Sequence, residues 1–159
     1  MDASTTRRLA AYGLCVRDSA VLLVQAKHHD GSRSWTLPGG GVEPLEDPFD
    51  TVIREFTEET GYTAAVQRLL GVDSRVIPAG ESWRGQPHQN IGIFYQVQVL
   101  GGRLRQELNG DTLDPTWISL DAVAELERSS LVDVGLRLLH DQPVTGHVAP
   151  VPIGGPVRH

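Results

Sequence analysis

Sulfur is nearly absent from this chain: one of its 159 residues is a cysteine, Cys15. A lone thiol forms no intramolecular disulfide, so a reducing compartment is expected, and in a strand-like run Cys15 reads as a small buried hydrophobe rather than a nucleophile. Positive charge is in deficit too. Fourteen lysines and arginines face twenty aspartates and glutamates, a net charge of −6, which removes nucleic acid and anionic membrane from the expected partners. No apolar run reaches the roughly eighteen residues of a membrane span. Arg7-Arg8 ahead of Leu9 to Val16 imitates a short leader, but the run ends at Arg17-Asp18 without a small-residue cleavage site. A soluble cytoplasmic protein is expected. Paired cysteines and helically spaced histidines are missing as well, so zinc is not expected, and His28 and His29 read as exposed loop residues.

What is present is concentrated between residues 35 and 62. Asp47 suits an N-cap, Pro48 the first helical position, and Gly61 the left-handed residue after the last turn, so the spacing predicts a helix over 48–60. Phe49, Val52, Ile53 and Phe56 supply its apolar stripe. Glu55, Glu58 and Glu59 repeat the i, i+3, i+4 spacing on an adjoining face. Stability alone would not put them there: like charges at this spacing cost about 0.2–0.5 kcal/mol per pair, and acids in the last turn oppose the helix dipole. Residues 43–59 hold seven acids (Glu43, Glu46, Asp47, Asp50, Glu55, Glu58, Glu59) and one base, Arg54, a net of −6, so the remainder of the chain sums to zero. Charge gathered this way at the edge of an apolar face asks for a counter-charge. Carboxylate oxygens ask for a hard dication, Mg²⁺ or Mn²⁺.

Gly40, Glu46, Arg54, Glu55, Phe56, Glu58, Glu59, Gly61 and Tyr62, preceded by Trp35-Thr36-Leu37-Pro38-Gly39, resemble the signature of the Nudix hydrolases at every charged and glycine position. The chain departs from that signature in having Phe56 and Tyr62 where an aliphatic residue is usual, and both keep its hydrophobic character. The resemblance implies an α/β fold, an α/β/α sandwich around a mixed sheet. It implies dications held by Glu55, Glu58, Glu59 and a glycine carbonyl, that of Gly40, with Arg54 and Glu46 bracing loop and helix. It also implies hydrolysis of a phosphoanhydride in a nucleoside diphosphate derivative, a small-molecule nucleotide substrate, and, in many members, a homodimer. The catalytic set is then Glu55, Glu58, Glu59 and Arg54. The general base is Glu55 or an acid from a later loop, for which Glu107, Asp111 and Asp114 are the candidates. Trp35, Arg84 and Tyr95 could contact the substrate. Pro78, about sixteen residues past the signature, resembles the ADP-ribose-cleaving branch, whereas the short chain resembles members acting on nucleoside triphosphates, oxidised ones included. A catalytically silent nucleotide-sensing module is the reading from another class.

The remaining pattern predicts one domain over residues 1–140 and a tail over 141–159, rich in proline and glycine, that buries little. Residues 9–16 and 21–26 read as a hairpin, Ala64 to Arg75 as one or two strands, and Asn90 to Leu100 as the clearest strand. Arg103 to Gln106 and Thr116 to Ser119 read as short strands around an acidic loop. Asp121 to Leu126 and Leu131 to His140 read as helices.

Overall fold

The computed structural model describes residues 5–159. Its centre is a mixed sheet of four strands in the order β5-β1-β7-β6: β5 (Gly39–Gly41), β1 (Thr6–Leu14), β7 (His88–Gly102) and β6 (Tyr62–Ile77). β1 runs parallel to β7 and antiparallel to β5, and β6 is antiparallel to β7. A second sheet holds β2 (Val16–Arg17), β3 (Ala20–Lys27), β4 (Arg33–Thr36), β9 (Arg128–Ser129) and β10 (Val157–Arg158), with β8 (Thr112–Ser119) paired to β3.

Strand alternation divides the core in two. Ala11, Cys15, Leu22, Ala64 and Val97 meet Val52 and Phe56 of helix α1 (Pro48–Thr60). Ala10, Tyr12, Leu14, Val21, Leu23, Leu70 and Phe94 face the other way, onto Leu131, Val134 and Leu138 of helix α2 (Ser130–Asp141). Helices therefore lie on both faces of a mixed sheet, as the α/β/α expectation requires. Helix α1 has the foreseen bounds. Asp47 accepts from the Phe49 amide at 2.8 Å, and Gly61 ends the helix at φ 82°. No helix among the described residues is long and apolar enough to cross a membrane.

Several expectations are corrected. The first two runs do not form a full hairpin: only Val16–Arg17 pairs with Ala20–Val21, because β1 leaves for the four-stranded sheet while β3 joins the other. Phe49 is not in the buried stripe. It is 46% exposed and meets Tyr95 edge-on, with ring centroids 6.2 Å apart. Residues 103–106 form no strand, the strand expected at 116–119 starts earlier, at Thr112, and residues 120–125 form a 3₁₀ turn rather than an α-helix. The tail does bury surface: Val148 is buried in the α2-side core, Gly146 packs on Gly71, and β10 pairs with β9. The pattern misled here because this tail contributes single apolar residues and backbone bonds rather than a periodic face.

Candidate active site

The loop before α1 is fixed by one ion pair. Arg54 donates from Nε to Glu46 Oε2 at 2.8 Å and from Nη2 to Glu46 Oε1 at 2.9 Å, a bidentate fork. The buried Thr51 adds its hydroxyl to Glu46 Oε1 at 2.5 Å. These bonds, led by Arg54, lower the Glu46 carboxyl to about 2. Sequence reasoning passed over Thr51, although its place in the first turns of α1, under the returning loop, is a usable signal. The same guanidinium reaches on through Nη1 to Glu55 Oε1 at 3.0 Å and Glu58 Oε2 at 3.4 Å. Arg54 thus links the loop to two of the three acids.

Those acids differ in environment. Glu58 is half-exposed, and its carboxyl is raised by burial and then by Glu55. Glu59 is 3% exposed, and its Oε2 has no hydrogen-bond partner. Burial, followed by the neighbouring Glu55 charge, pushes it well above the ordinary carboxylate range, against a smaller opposing effect of the Gly39 backbone. An unpartnered buried carboxylate oxygen beside a second carboxylate is costly without positive charge.

Strand β5 faces these acids. A Cβ built on Gly40 would lie 2.6 Å from Glu55 Oε1, so only glycine admits this approach. Its neighbour Gly39 pairs with Tyr12 at φ 151°. Among the described residues, no three acid, histidine or cysteine side chains already stand in a closed metal-binding group, and Arg54 pairs with both Glu55 and Glu58. The donor set nonetheless fits a hard dication: carboxylate oxygens only, one of them buried and unpartnered, beneath a strand of bare backbone.

Of the three later acids, Glu107 is the one brought near. Its charge helps to raise both Glu58 and Glu59, and its Oε2 accepts from the Thr112 hydroxyl at 3.2 Å. Asp114 instead faces Arg33 at 3.9 Å, and Asp111 is exposed, its carbonyl accepting from Lys27. The three candidate substrate contacts are not brought together. Trp35 packs against the α2-side core, Tyr95 against the α1-side core, and Arg84 lies over the exposed Trp83 ring at 4.7 Å in the loop between β6 and β7.

The family model described as "NUDIX domain" matches residues 6–136. A protein of Methanocaldococcus jannaschii named ADP-ribose pyrophosphatase is 35% identical over 97 residues, covering 61% of this chain and 54% of that protein. A probable DHNTP pyrophosphohydrolase of Lactococcus lactis is 33% identical over 93 residues, covering 58% and 54%. The chain spans about half the length of these curated relatives. A solved NUDIX hydrolase from Nitrosomonas europaea superposes with a TM-score of 0.70 at 20% identity over 85% of this chain and 89% of that one, a likeness of fold.

Proposed function

The chain belongs to the Nudix family, and we propose from that premise that it hydrolyses the phosphoanhydride of a nucleoside diphosphate derivative, with Mg²⁺ or Mn²⁺ as cofactor. The observation that carries the reading is the buried, unpartnered Oε2 of Glu59, beside Glu55 and under the glycines of β5. Glu55, Glu58, Glu59 and the Gly40 carbonyl would hold the cation. When bound it withdraws charge from the phosphoryl oxygens and makes water more acidic.

The protein's own groups account for the rest. Arg54, locked by Glu46, fixes where Glu55 and Glu58 stand, and such positioning is a large part of catalysis in phosphoryl transfer. Glu107 accepts the proton of the attacking water as its oxygen bonds to phosphorus. The bridging P–O bond breaks, and its electron pair leaves on the departing phosphate. ADP-ribose is the first substrate to try, from Pro78 and from the name of one relative. Nucleoside triphosphates, the other branch that the sequence resembles, come next. The test is nucleotide release from a panel of ADP-ribose, dinucleoside polyphosphates, NADH, nucleoside triphosphates and nucleotide sugars, with and without Mg²⁺. Cation-dependent release that Glu58→Gln and Glu59→Gln abolish is expected. A panel left intact by the wild type would favour the sensing module, and a fully active Glu59→Gln would remove the cation from the reading.

A further inference from the structure

On the α2 face of the four-stranded sheet lies a polar row that the hydrolysis described above does not use. Strand register sets Arg8 of β1, Asn90 of β7 and Arg75 of β6 side by side. Asn90 is buried and donates from Nδ2 to Tyr12 Oη at 3.2 Å. Arg75 donates from Nη1 to the hydroxyls of Ser129 and Ser130, at 3.2 and 2.9 Å, where α2 begins. Its Nε is sealed from solvent and has no acceptor among the described residues. Neither arginine forms an ion pair among those residues. The acid beside Arg75 on this face is Asp73, itself partly desolvated, and the other groups felt there are mostly cationic. Burial pushes His88 down, and the charges of Arg84, Arg8 and Arg75 push it further. His159, whose Nε2 stands 3.4 Å from Glu81, is lowered by burial and by Arg75. A desolvated guanidinium with a spare N–H, among other cations, lacks negative charge.

The row is also next to the acids. On β5, Gly40 faces Glu55, while a Cβ on Gly41 would lie 3.6 Å from Arg8 Nε. Successive residues of a strand point to opposite faces, so one thickness of glycine backbone separates the carboxylates from the Arg8 guanidinium. β1 and β6 flank β7, about 10 Å apart, within the span of two converging arginine side chains.

We propose that Arg8 and Arg75 form a subsite for a phosphoryl group of the substrate other than the two joined by the bond that is cut. This rests on the hydrolase reading and narrows its substrate class. The preferred compounds carry a further phosphate, either in a longer phosphate chain or as an ester on a sugar. Arginine suits such a group through paired N–H donors.

Two measurements on the full chain test it. Inorganic phosphate is titrated without divalent cation, and the Arg Nε–H resonances are followed by NMR. Wild type should bind through Arg8 and Arg75, and Arg8→Met should weaken the affinity about tenfold, the scale of one lost charge-assisted hydrogen bond. Unchanged phosphate affinity in Arg8→Met would overturn the subsite whether or not any substrate is hydrolysed. Steady-state rates with Mg²⁺ then compare ADP-ribose, its 2′-phosphate and ATP. Arg8→Met should raise KM about tenfold for whichever phosphorylated compound uses the subsite, with little change in kcat, and leave ADP-ribose within twofold. A rise confined to the 2′-phosphate identifies the ester, and a rise confined to ATP the longer chain. An equal rise for all three would refute the proposal. Arg8 is exposed and forms no ion pair among the described residues, so folding does not confound the variant.

Discussion

Three adjacent glycines should respond to alanine in three different ways. At Gly40 the new methyl would lie 2.6 Å from Glu55 Oε1 and 2.7 Å from its Cδ. Ordinary contact needs about 3.4 Å or more, so the carboxylate must retreat by nearly 1 Å. It can, because a flexible side chain yields cheaply, and Gly40 has no positive φ to strain an alanine. Stability should fall by less than about 1 kcal/mol, whereas displacement of a catalytic group on this scale can cost about 100-fold in rate. At Gly39 the methyl would meet the backbone oxygen of Ala11 in a strand held at φ 151°. Neither can move without opening the β1–β5 pairing, and the cost should be about 3 kcal/mol or more. At about 2–4 °C per kcal/mol for a chain of this size, Tm should drop by roughly 6–12 °C. At Gly41 the nearest atom would be 3.6 Å away, an ordinary contact, so alanine should be tolerated in both respects. Thermal unfolding and initial rates with Mg²⁺ on the three purified variants separate the outcomes. Gly40→Ala with more than half the wild-type kcat, or with a Tm as low as that of Gly39→Ala, would refute the placement of Glu55 against β5.

The other expected outcomes concern charge. Because Glu46 is lowered to about 2, its ionised form stabilises the fold fully above the ordinary carboxylate range, and that contribution is lost as pH falls toward 2. The wild-type advantage in unfolding free energy over Glu46→Gln should shrink across that interval in urea titrations. Glu59 has the opposite sign: raised when folded, it disfavours the fold once ionised. Cation-free Glu59→Gln should therefore melt above wild type near pH 8. Saturating Mg²⁺, at about 100 times its Kd, should stabilise wild type by about 2.7 kcal/mol and leave that variant unmoved in calorimetry. Glu107→Gln should lower kcat by about 10²-fold or more, the usual share of a general base, with Asp111→Asn and Asp114→Asn within about twofold in the same assay.

What was legible in the sequence was local, and what was not depended on strand partners. Asp47, Pro48 and Gly61 fix α1 through bonds between residues a few positions apart, so its bounds could be read directly. The Arg54–Glu46 fork spans eight residues across a loop, and the resemblance rather than the spacing supplied it. Phe49 fits the apolar period but stays 46% exposed, edge-on to Tyr95, and periodicity carries no information about how far the neighbouring layer covers each position. The row of Arg8, Asn90 and Arg75 joins residues up to 82 positions apart through the register of three strands. Each of the three, taken singly, looks like an unremarkable polar residue in or near a strand. Nothing in a one-dimensional pattern distinguishes an arginine at the solvated end of a strand from one sealed against the first turn of a helix. The acids of α1 are legible for the opposite reason: their mutual repulsion is visible within thirteen residues of a single helix. A burden that local physics cannot explain points to something bound, and the guanidinium of Arg75 carries the same burden with the sign of the charge reversed.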